Sequence, residues 1–519
     1  MRNWRSLFEI LKSPLEIIFV AVMLAGAGNL IGSPIFGLVT VFENDYVLAA
    51  GEILTRLGQF LLVHFPFLFL IRLSARRGGS ATTFVSALCG YIGFLCATML
   101  FADSTLPSSA FSSILGLSIS KSQVSFVTPG VHYPLQTGML GAVITSLIAL
   151  WAFNRGRRRN EYGFFSFISR ETSVMIRTTV FCTLAGVAAA FVWPYLIAGV
   201  QRVIHFISVD TTNPVNLALY GIMERVLGDV NLGTLIRQPF WYTASGGSWI
   251  NVAGGSVAGD VSIWTAQVSA NSISGMTGRF FTPYYILNIF AVPGMIWGMY
   301  SISTDKMDKA KKRMLCLIAT AVSLCCGTLL PLELMMALLC PLLLIIHLGL
   351  TGVLYAALQY FHIYLGYYSN DALVMTAMPG TLPELLYYLR FPSLNRTVLI
   401  IAGAGVFVMI LYFIITRVYF RHLAVDLFNT GEKGRMVQAT LTAVGGVENI
   451  KMVQSSITAL TVSVYDPTRL DFGVLKKLGS FRVYETRAGY SICYGASSTM
   501  IRMGIQEAMH ETIRAVNLH

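Results

Sequence analysis

The stretch GTLLPLELMMALLCPLLLIIHLGLTGV, residues 327–353, carries the pattern that decides the fold. It is longer than the roughly 20 apolar residues that a helix needs to cross a bilayer. Gly327, Pro331 and Pro341 interrupt it, and Glu333 places a carboxylate inside it. In a membrane, helix breaks and charges are tolerated where they line a cavity or are buried in protein. The stretch therefore predicts broken helices beside a pocket in a membrane protein.

The rest of the chain has a membrane protein's composition. Of its 519 residues, 55% are hydrophobic and 12% are charged, whereas about 25% of a soluble domain is charged. The mean hydropathy is +0.65. The apolar residues form blocks of spanning length: Leu15–Val39, Gly51–Ile71, Ala81–Ala102, Gln136–Phe153, Ser173–Phe206, Phe280–Ile302, Met314–Leu332, Glu333–Leu358 and Val398–Phe420. A more polar helix is predicted at Asn213–Leu227. We expect an α-helical polytopic membrane protein with about ten spans and re-entrant segments.

The formal net charge of +12 follows the spans and does not indicate a nucleic-acid partner. Lys and Arg collect at span ends, whereas the first external loop carries Glu43 and Asp45. The positive-inside rule then predicts a cytoplasmic N-terminus, cytoplasmic loops at 155–159 and 305–313, and a cytoplasmic C-terminal domain. The predicted surroundings are a lipid bilayer.

A second segment, 213–250, also combines charges with helix breakers. It contains Asn213, Pro214, Glu224, Arg225, Asp229, Arg237, Gly246 and Gly247. Transporters hold their substrates at broken helices near the membrane midplane. This segment and 327–341 are therefore the candidate substrate or effector pocket. The sequence has no zinc spacing, catalytic triad or convincing phosphate-binding glycine motif, so we predict neither a metal nor a cofactor.

The composition changes abruptly near the C-terminus, where charges return and apolar runs shorten. We predict a membrane domain at 1–422, a linker at 423–432 and a cytoplasmic domain at 433–519. Periodicity within the last domain predicts helices at 434–444, 469–477 and 497–515, and strands at 457–465, 481–486 and 489–494. The predicted fold of this part is a small α/β sandwich.

Residues 449–466 of this domain read NIKMVQSSITALTVSVYD. The run resembles the active-site strand and turn of the enzyme IIB domain of the bacterial sugar phosphotransferase system, glucose and maltose type, N-I-x-x-x-x-x-C-x-T-R-L-R-x-x-V-x-D. The resemblance implies that the Cys carries a phosphoryl group, but Ser456 stands there, and Ala459 and Thr461 stand at the two Arg positions. A Ser hydroxyl stays protonated where a thiol ionises near neutral pH. We interpret Ser456 as a turn residue rather than a phospho-acceptor, so enzymatic activity is an open question.

The membrane part resembles the enzyme IIC permease of the same family. The run LYGIMERVLGDVNLGTL at 219–235 is similar to F-G-x-x-E-R-L-L-x-P-x-G-L-H-H, and 327–353 is similar to G-I-T-E-P-I-E-F-x-F-x-F-V-A-P-x-L-Y-x-I-H-x-x-L-x-G. The runs 136–155 and 170–200 also resemble this permease, and 278–300 resembles it less closely. By this resemblance, the residues at matching sugar-site positions are Glu224, Arg225, Arg279, Glu333 and His347.

Three positions depart from that pattern. Gly233 and Thr234 stand at the family's His-His pair, and Leu330 stands at the first Glu of its T-E-P-x-E motif. Plainer interpretations of the matching residues also stay open. Glu224 and Arg225 point about 100° apart on a helix, and each fits a buried ion pair with another residue or exposure to the cytoplasm, while His347 fits a packing role.

Two functions are consistent with these residues. The first is a sugar permease of the phosphotransferase system for a glucose- or maltose-class sugar, homodimeric like its relatives, in the bacterial inner membrane. A IIA or IIB protein would act on it in trans, since its own IIB-like domain lacks the Cys. The alternative is a non-transporting membrane sensor or regulator, in which 433–519 binds a regulatory protein.

Overall fold

The computed structural model describes residues 2–70, 81–103, 105–120, 131–157, 170–250, 254–273, 277–302, 309–369, 377–423, 433–456, 458–478, 480, 482–486 and 488–516. The predicted linker, apart from residue 423, lies outside the described residues. Portions of the basic loops at 155–159 and 305–313 also lie outside them. Two groups of elements follow one another: a helical part up to residue 423, and a small part with a sheet from residue 433.

Helices dominate the first part. Their bounds are α1 Arg2–Gly32, α2 Val39–Phe42, α3 Asp45–Val63, α4 Ala81–Phe101, α5 Gly138–Arg157, α6 Arg170–Val209, α7 Pro214–Asp229, α8 Thr234–Tyr242, α9 Asp260–Ser269, α10 Thr282–Ile286, α11 Val292–Ile302, α12 Lys309–Cys326, α13 Leu330–Leu339, α14 Pro341–Tyr360, α15 Leu382–Tyr387 and α16 Asn395–Val418. Two short antiparallel pairs join them: β1 Ile119–Ser120 with β2 Val131–His132, and β3 Ser248–Ile250 with β4 Ser256–Ala258.

Eight helical stretches in the described part are long and apolar enough to cross a membrane. Two shorter apolar helices, Arg313–Cys326 and Leu330–Leu339, accompany them. The predicted polytopic helical fold is therefore confirmed. Many side chains on these helices are large, apolar and exposed, such as Tyr195 at 81% and Phe407 at 68%. Lipid tails are the environment in which such faces are stable.

The structure divides some predicted spans. The predicted block Glu333–Leu358 is two helices, because the backbone leaves helical geometry at Cys340 and Pro341 begins the next helix. The predicted block Met314–Leu332 ends early, since Gly327 takes a φ of +58° that side chains rarely adopt. The predicted polar helix Asn213–Leu227 is confirmed as α7, with Pro214 at its first turn and the side chain of Asn213 as its N-cap.

Close helix packing depends on small residues in the first pair, α1 and α3. A Cβ added at Gly28 would lie 2.6 Å from the carbonyl oxygen of Gly51 on the opposite helix. Small residues let membrane helices approach closely where no hydrophobic effect drives them together. A substitution at Gly28 would therefore separate the two helices.

The C-terminal part contains helices α17 Lys433–Ala443, α18 Phe472–Lys477 and α19 Ser498–Val516. Its antiparallel sheet has the strand order β5-β6-β8-β7, formed by Ile450–Ser455, Leu460–Val464, Gly489–Ile492 and Val483–Thr486. The core includes the buried side chains of Leu460, Val462, Leu475, Ile501 and Ile505. The predicted α/β composition of the tail is therefore observed.

One strand of this sheet, β5, was not predicted, and the predicted strand 457–465 begins at Leu460. β5 lies at the edge of the sheet and contains Lys451 and Gln454. Edge strands carry polar and charged side chains that limit pairing with other chains. The alternating pattern expected of a half-buried strand is therefore weak in this segment.

Candidate functional site in the membrane part

The first half of the site is a helical hairpin. Helix α7 ends at Asp229, and the chain reverses through Asn231, which takes a φ of +61°. The amide of Leu232 donates to the carbonyl of Leu227 at 2.7 Å, which closes the turn. Helix α8 then returns alongside α7 and brings Arg237 against Glu224.

Glu224 is fully buried and lies between two guanidinium groups. Arg237 Nε donates to Glu224 Oε1 at 2.6 Å, and its Nη2 contacts the same oxygen. Arg225 Nε is 2.9 Å from Glu224 Oε2, at an angle that makes no hydrogen bond. The adjacent Glu224 and Arg225 do contact each other, although the helical angle between them did not require it.

The second half of the site is the break between α13 and α14. This break places His347 against Glu333, with Nε2 3.1 Å from Oε1. The other ring nitrogen, Nδ1, is 2.9 Å from the hydroxyl of Tyr412 on α16. Because both nitrogens have partners, His347 holds the carboxylate of Glu333 in one orientation.

The two halves meet at Arg225. Its Nη1 is 3.7 Å from Glu333 Oε2, and its guanidinium lies 4.3 Å from the ring centre of Tyr284. A guanidinium over an aromatic face is stabilised by the ring quadrupole, more so where water is excluded. The chain Arg237–Glu224–Arg225–Glu333–His347 therefore links segments that are distant in sequence into a charged cluster.

A small cavity of about 50 Å³ adjoins this charged cluster. Its lining includes Arg225, Arg237, Tyr284, Leu330 and Glu333. Ligand pockets usually have volumes of about 300 Å³ or more. In this conformation the cavity is thus closed around its polar groups, and a sugar-sized ligand requires the walls to move apart.

Several polar atoms of the cluster have no hydrogen-bond partner within the described residues. They are Glu224 Oε2, Arg225 Nη2 and Asp229 Oδ1. Leaving a buried donor or acceptor unsatisfied costs about 1–3 kcal/mol. Of these residues Arg225 lines the cavity, together with the carboxylate of Glu333. The cavity therefore offers both donor and acceptor groups, with which the hydroxyl groups of a polyol can pair.

The structure also places the residues that depart from the family pattern. Leu330 lines the cavity. A Cβ at Gly233 would lie 3.3 Å from Cζ of Arg237, so the arginine occupies the space beside this glycine. Thr234 accepts a hydrogen bond from the side-chain amide of Gln136 at 3.4 Å. Arg237 therefore places a charge where the resemblance implies a His side chain.

Arg279 is the one predicted site residue that lies apart from the charged cluster. Its Nη1 donates to the hydroxyl of Thr211 at 3.0 Å and to the carbonyl of the same residue at 3.1 Å. Its guanidinium also lies 5.5 Å from the ring centre of Tyr364. These contacts tie α10 to the end of α6 and do not involve the cavity.

Sequence analysis did not identify four members of the site. Asp229 and Arg237 stood in the polar segment 213–250, and their spacing from Glu224 was the available signal. Tyr284 and Tyr412 had no signal, because tyrosines in membrane helices are common and their partners are distant in sequence. Contacts of this kind come only from the tertiary fold.

In the C-terminal part, Ser456 closes the turn between β5 and β6. Its amide donates to the carbonyl of Ala459 at 2.8 Å, and its hydroxyl accepts from the amide of Ala459 at 3.0 Å. Arg502 donates to the hydroxyl of the neighbouring Ser455 at 3.1 Å. Burial lowers the pKa of Arg502, and the nearby Arg421 lowers it further. The hydroxyl of Ser456 thus has a structural partner in the turn.

Comparison with known proteins agrees with this geometry. Residues 8–352 match the phosphotransferase system EIIC family. The chain belongs to this family. It is also 26% identical to the PTS system glucoside-specific EIICBA component of Staphylococcus carnosus (strain TM300), over 96% of this chain and 72% of that protein. The EIIC match includes Glu224, Arg225, Glu333 and His347, so the charged cluster lies within the EIIC part of the chain.

Proposed function

We propose that the chain is a sugar permease of the phosphotransferase system that takes up a glucoside or a related glucose- or maltose-class sugar. The observation that carries the proposal is the buried charged cluster at the break points of α7–α8 and α13–α14. Family membership supports a sugar as the substrate, and the glucoside-specific relative from S. carnosus supports its class.

The cluster suits a polyol. Burying an ion pair costs several kcal/mol in desolvation for each ion, so a buried network is weak evidence of a stabilising role. Here Glu224 and Arg225 retain polar atoms without hydrogen-bond partners. The contact between Arg225 and Glu333 is too long for a hydrogen bond. Sugar hydroxyls both donate and accept, and they would complete these bonds without adding a net charge.

In this proposal the chain does not phosphorylate its sugar. Ser456 occupies the phospho-cysteine position, and its hydroxyl is engaged in the turn. The carboxyl-terminal residues 433–519 form the IIB-like domain after the linker 423–432, and residues 1–422 form the permease. Both termini are cytoplasmic, the membrane is the bacterial inner membrane, and two copies form the transporter. A IIB protein supplies the phosphoryl group in trans.

The test is uptake of labelled glucosides by cells that lack their own glucose and maltose permeases. We expect uptake by the wild type and at least a tenfold loss with Glu333→Gln, since this change removes the charge that Arg225 and His347 contact. Glu171→Gln is the matched control, because Glu171 is exposed at the start of α6.

Phosphorylated product is expected only in cells that also contain an intact IIB protein. Unphosphorylated sugar that equilibrates without such a protein would indicate a facilitator. If protein verified in the membrane takes up no sugar in either background, the transport proposal is wrong.

The structural role of Ser456 favours a second candidate, a membrane sensor or regulator. A domain that has the IIB-like sheet without the reactive thiol is suited to binding a regulatory protein through residues 433–519. The two candidates differ in one measurement: a sensor binds sugar in detergent without transporting it, whereas a permease does both.

A further inference from the structure

Helix α3 has a polar face that the charged cluster does not use. Glu52, Thr55, Arg56 and Gln59 recur at the three- and four-residue spacing that places them on one side of the helix. The other residues of α3 are mainly apolar, and the helix is apolar enough to cross a membrane. Ionisable side chains within membrane helices face a water-filled cavity or the protein interior.

That polar face lines a cleft of about 310 Å³. Asn29 of α1 and Ser33, which directly follows that helix, form part of the same wall. The opposite wall contains Tyr367, Tyr368 and Ser369. The volume reaches the lower end of the range for small-molecule pockets, and it exceeds that of the cavity at the charged cluster.

The second wall is firmly held. The amide of Tyr368 donates to Glu384 Oε1 at 3.2 Å, and the amide of Ser369 donates to the hydroxyl of Thr265 at 3.2 Å. The ring of Tyr367 lies against Phe281, with 5.6 Å between ring centres. These bonds fix the position of the wall, so that its side chains form a preorganised surface.

The cleft adjoins the charged cavity. Ala377 and Met378 line both spaces. Leu62 lines the charged cavity and lies three residues beyond Gln59, about 4.5 Å further along the same helix. The polar face of α3 therefore ends at Gln59, and these apolar side chains separate the two neighbouring spaces.

We infer that the cleft is a second sugar subsite, which holds the second hexose ring of a disaccharide whose first ring binds at the charged cluster. This inference rests on the proposed function. A carboxylate, a guanidinium and an amide suit a ring with several hydroxyls, and tyrosine rings offer apolar faces with a polar edge. An apolar aglycone or a lipid tail would instead leave the ion pair of Glu52 and Arg56, 2.7 Å apart, in contact with hydrocarbon.

The test measures the affinity of the full-length protein in detergent for two probes, methyl α-glucoside and maltose, by calorimetry. The variants are Thr55→Val with Gln59→Leu, which keep the volume but remove hydrogen-bonding groups, and separately Glu52→Gln on the exposed side of the cleft. We expect each variant to bind maltose roughly tenfold more weakly, with affinity for methyl α-glucoside unchanged within about twofold. Gln201→Leu, at an exposed position of α6, is the matched control.

Two results would overturn the inference while leaving the proposed function intact. One is an equal loss of affinity for both probes, which would indicate a general effect on the fold. The other is unchanged maltose affinity in both variants, which would make the cleft a route of entry without a binding role. If the wild type binds neither probe, the proposed function fails, and the subsite fails with it.

Discussion

Replacing Arg237 by Met should destabilise the membrane part. Glu224 is fully buried and receives two contacts from Arg237, whose own side chain is 14% exposed. The substitution would leave Glu224 with Arg225, whose Nε lies outside hydrogen-bond geometry. Removing one partner of a buried ion pair costs about 3–5 kcal/mol, and the partial exposure of Arg237 favours the lower end.

The assay is thermal unfolding of the purified protein in detergent. An unfolding entropy of about 2.1 cal/mol/K per residue converts a loss of about 3 kcal/mol into a fall of roughly 4 °C for a unit of about 400 residues. Arg396→Met, which removes an exposed arginine from α16, is the control and should change the midpoint by less than about 1 °C.

The double variant Glu224→Gln with Arg237→Met tests the reasoning directly. Replacing both charges by neutral groups of similar size is often close to neutral, so the double variant should be more stable than Arg237→Met alone. If the two single effects simply add, to within about 0.5 kcal/mol, the side chains are not coupled and the assignment of the pair is wrong.

The other predictions concern both parts of the chain. Gly233→His should cost about 1–3 kcal/mol by overpacking, because its Cβ would lie 3.3 Å from Arg237, and a lowered midpoint of thermal unfolding would show this. Ser456→Ala should lower the stability of the tail by about 1 kcal/mol, since the amide of Ala459 loses its acceptor, and should leave uptake unchanged. A hydrogen bond from the hydroxyl of Thr468 lowers the pKa of Asp466. The contribution of Asp466 to the stability of the tail is therefore complete above the unfolded-state pKa and is lost as pH falls below about 4. Asp466→Asn should remove this pH dependence, and unfolding at several pH values, followed by a probe in the tail, measures it.

Local sequence patterns predicted much of this fold because they follow local physics. Apolar runs of spanning length, Pro214 at a helix start and the breaks at Gly327 and Pro341 each depend on neighbouring residues. The edge strand Ile450–Ser455 escaped prediction because edge strands have no strict alternation.

The composition of the site was only partly predictable for a different reason. Glu224 and Glu333 stood out as carboxylates in apolar surroundings, but nothing local indicated that Arg225 would contact both. Tyr412 joins His347 from another helix, and this contact depends on how α14 and α16 pack. Sequence patterns thus identified which groups were costly to bury, and the tertiary fold determined their partners.

The two parts of the chain depart from the family pattern in different ways, and this difference bears on function. In the tail, Ser456 stands where the resemblance to IIB domains implies a Cys, and its hydroxyl makes an ordinary hydrogen bond in the turn. In the membrane part, Gly233 stands where a His is expected, but the guanidinium of Arg237 fills the space beside it. A purely structural membrane domain would gain stability from apolar side chains in place of such a network. Desolvated charges around a cavity, with polar atoms still unsatisfied, are instead what binding a polar ligand requires, so the membrane part favours a protein that binds sugar.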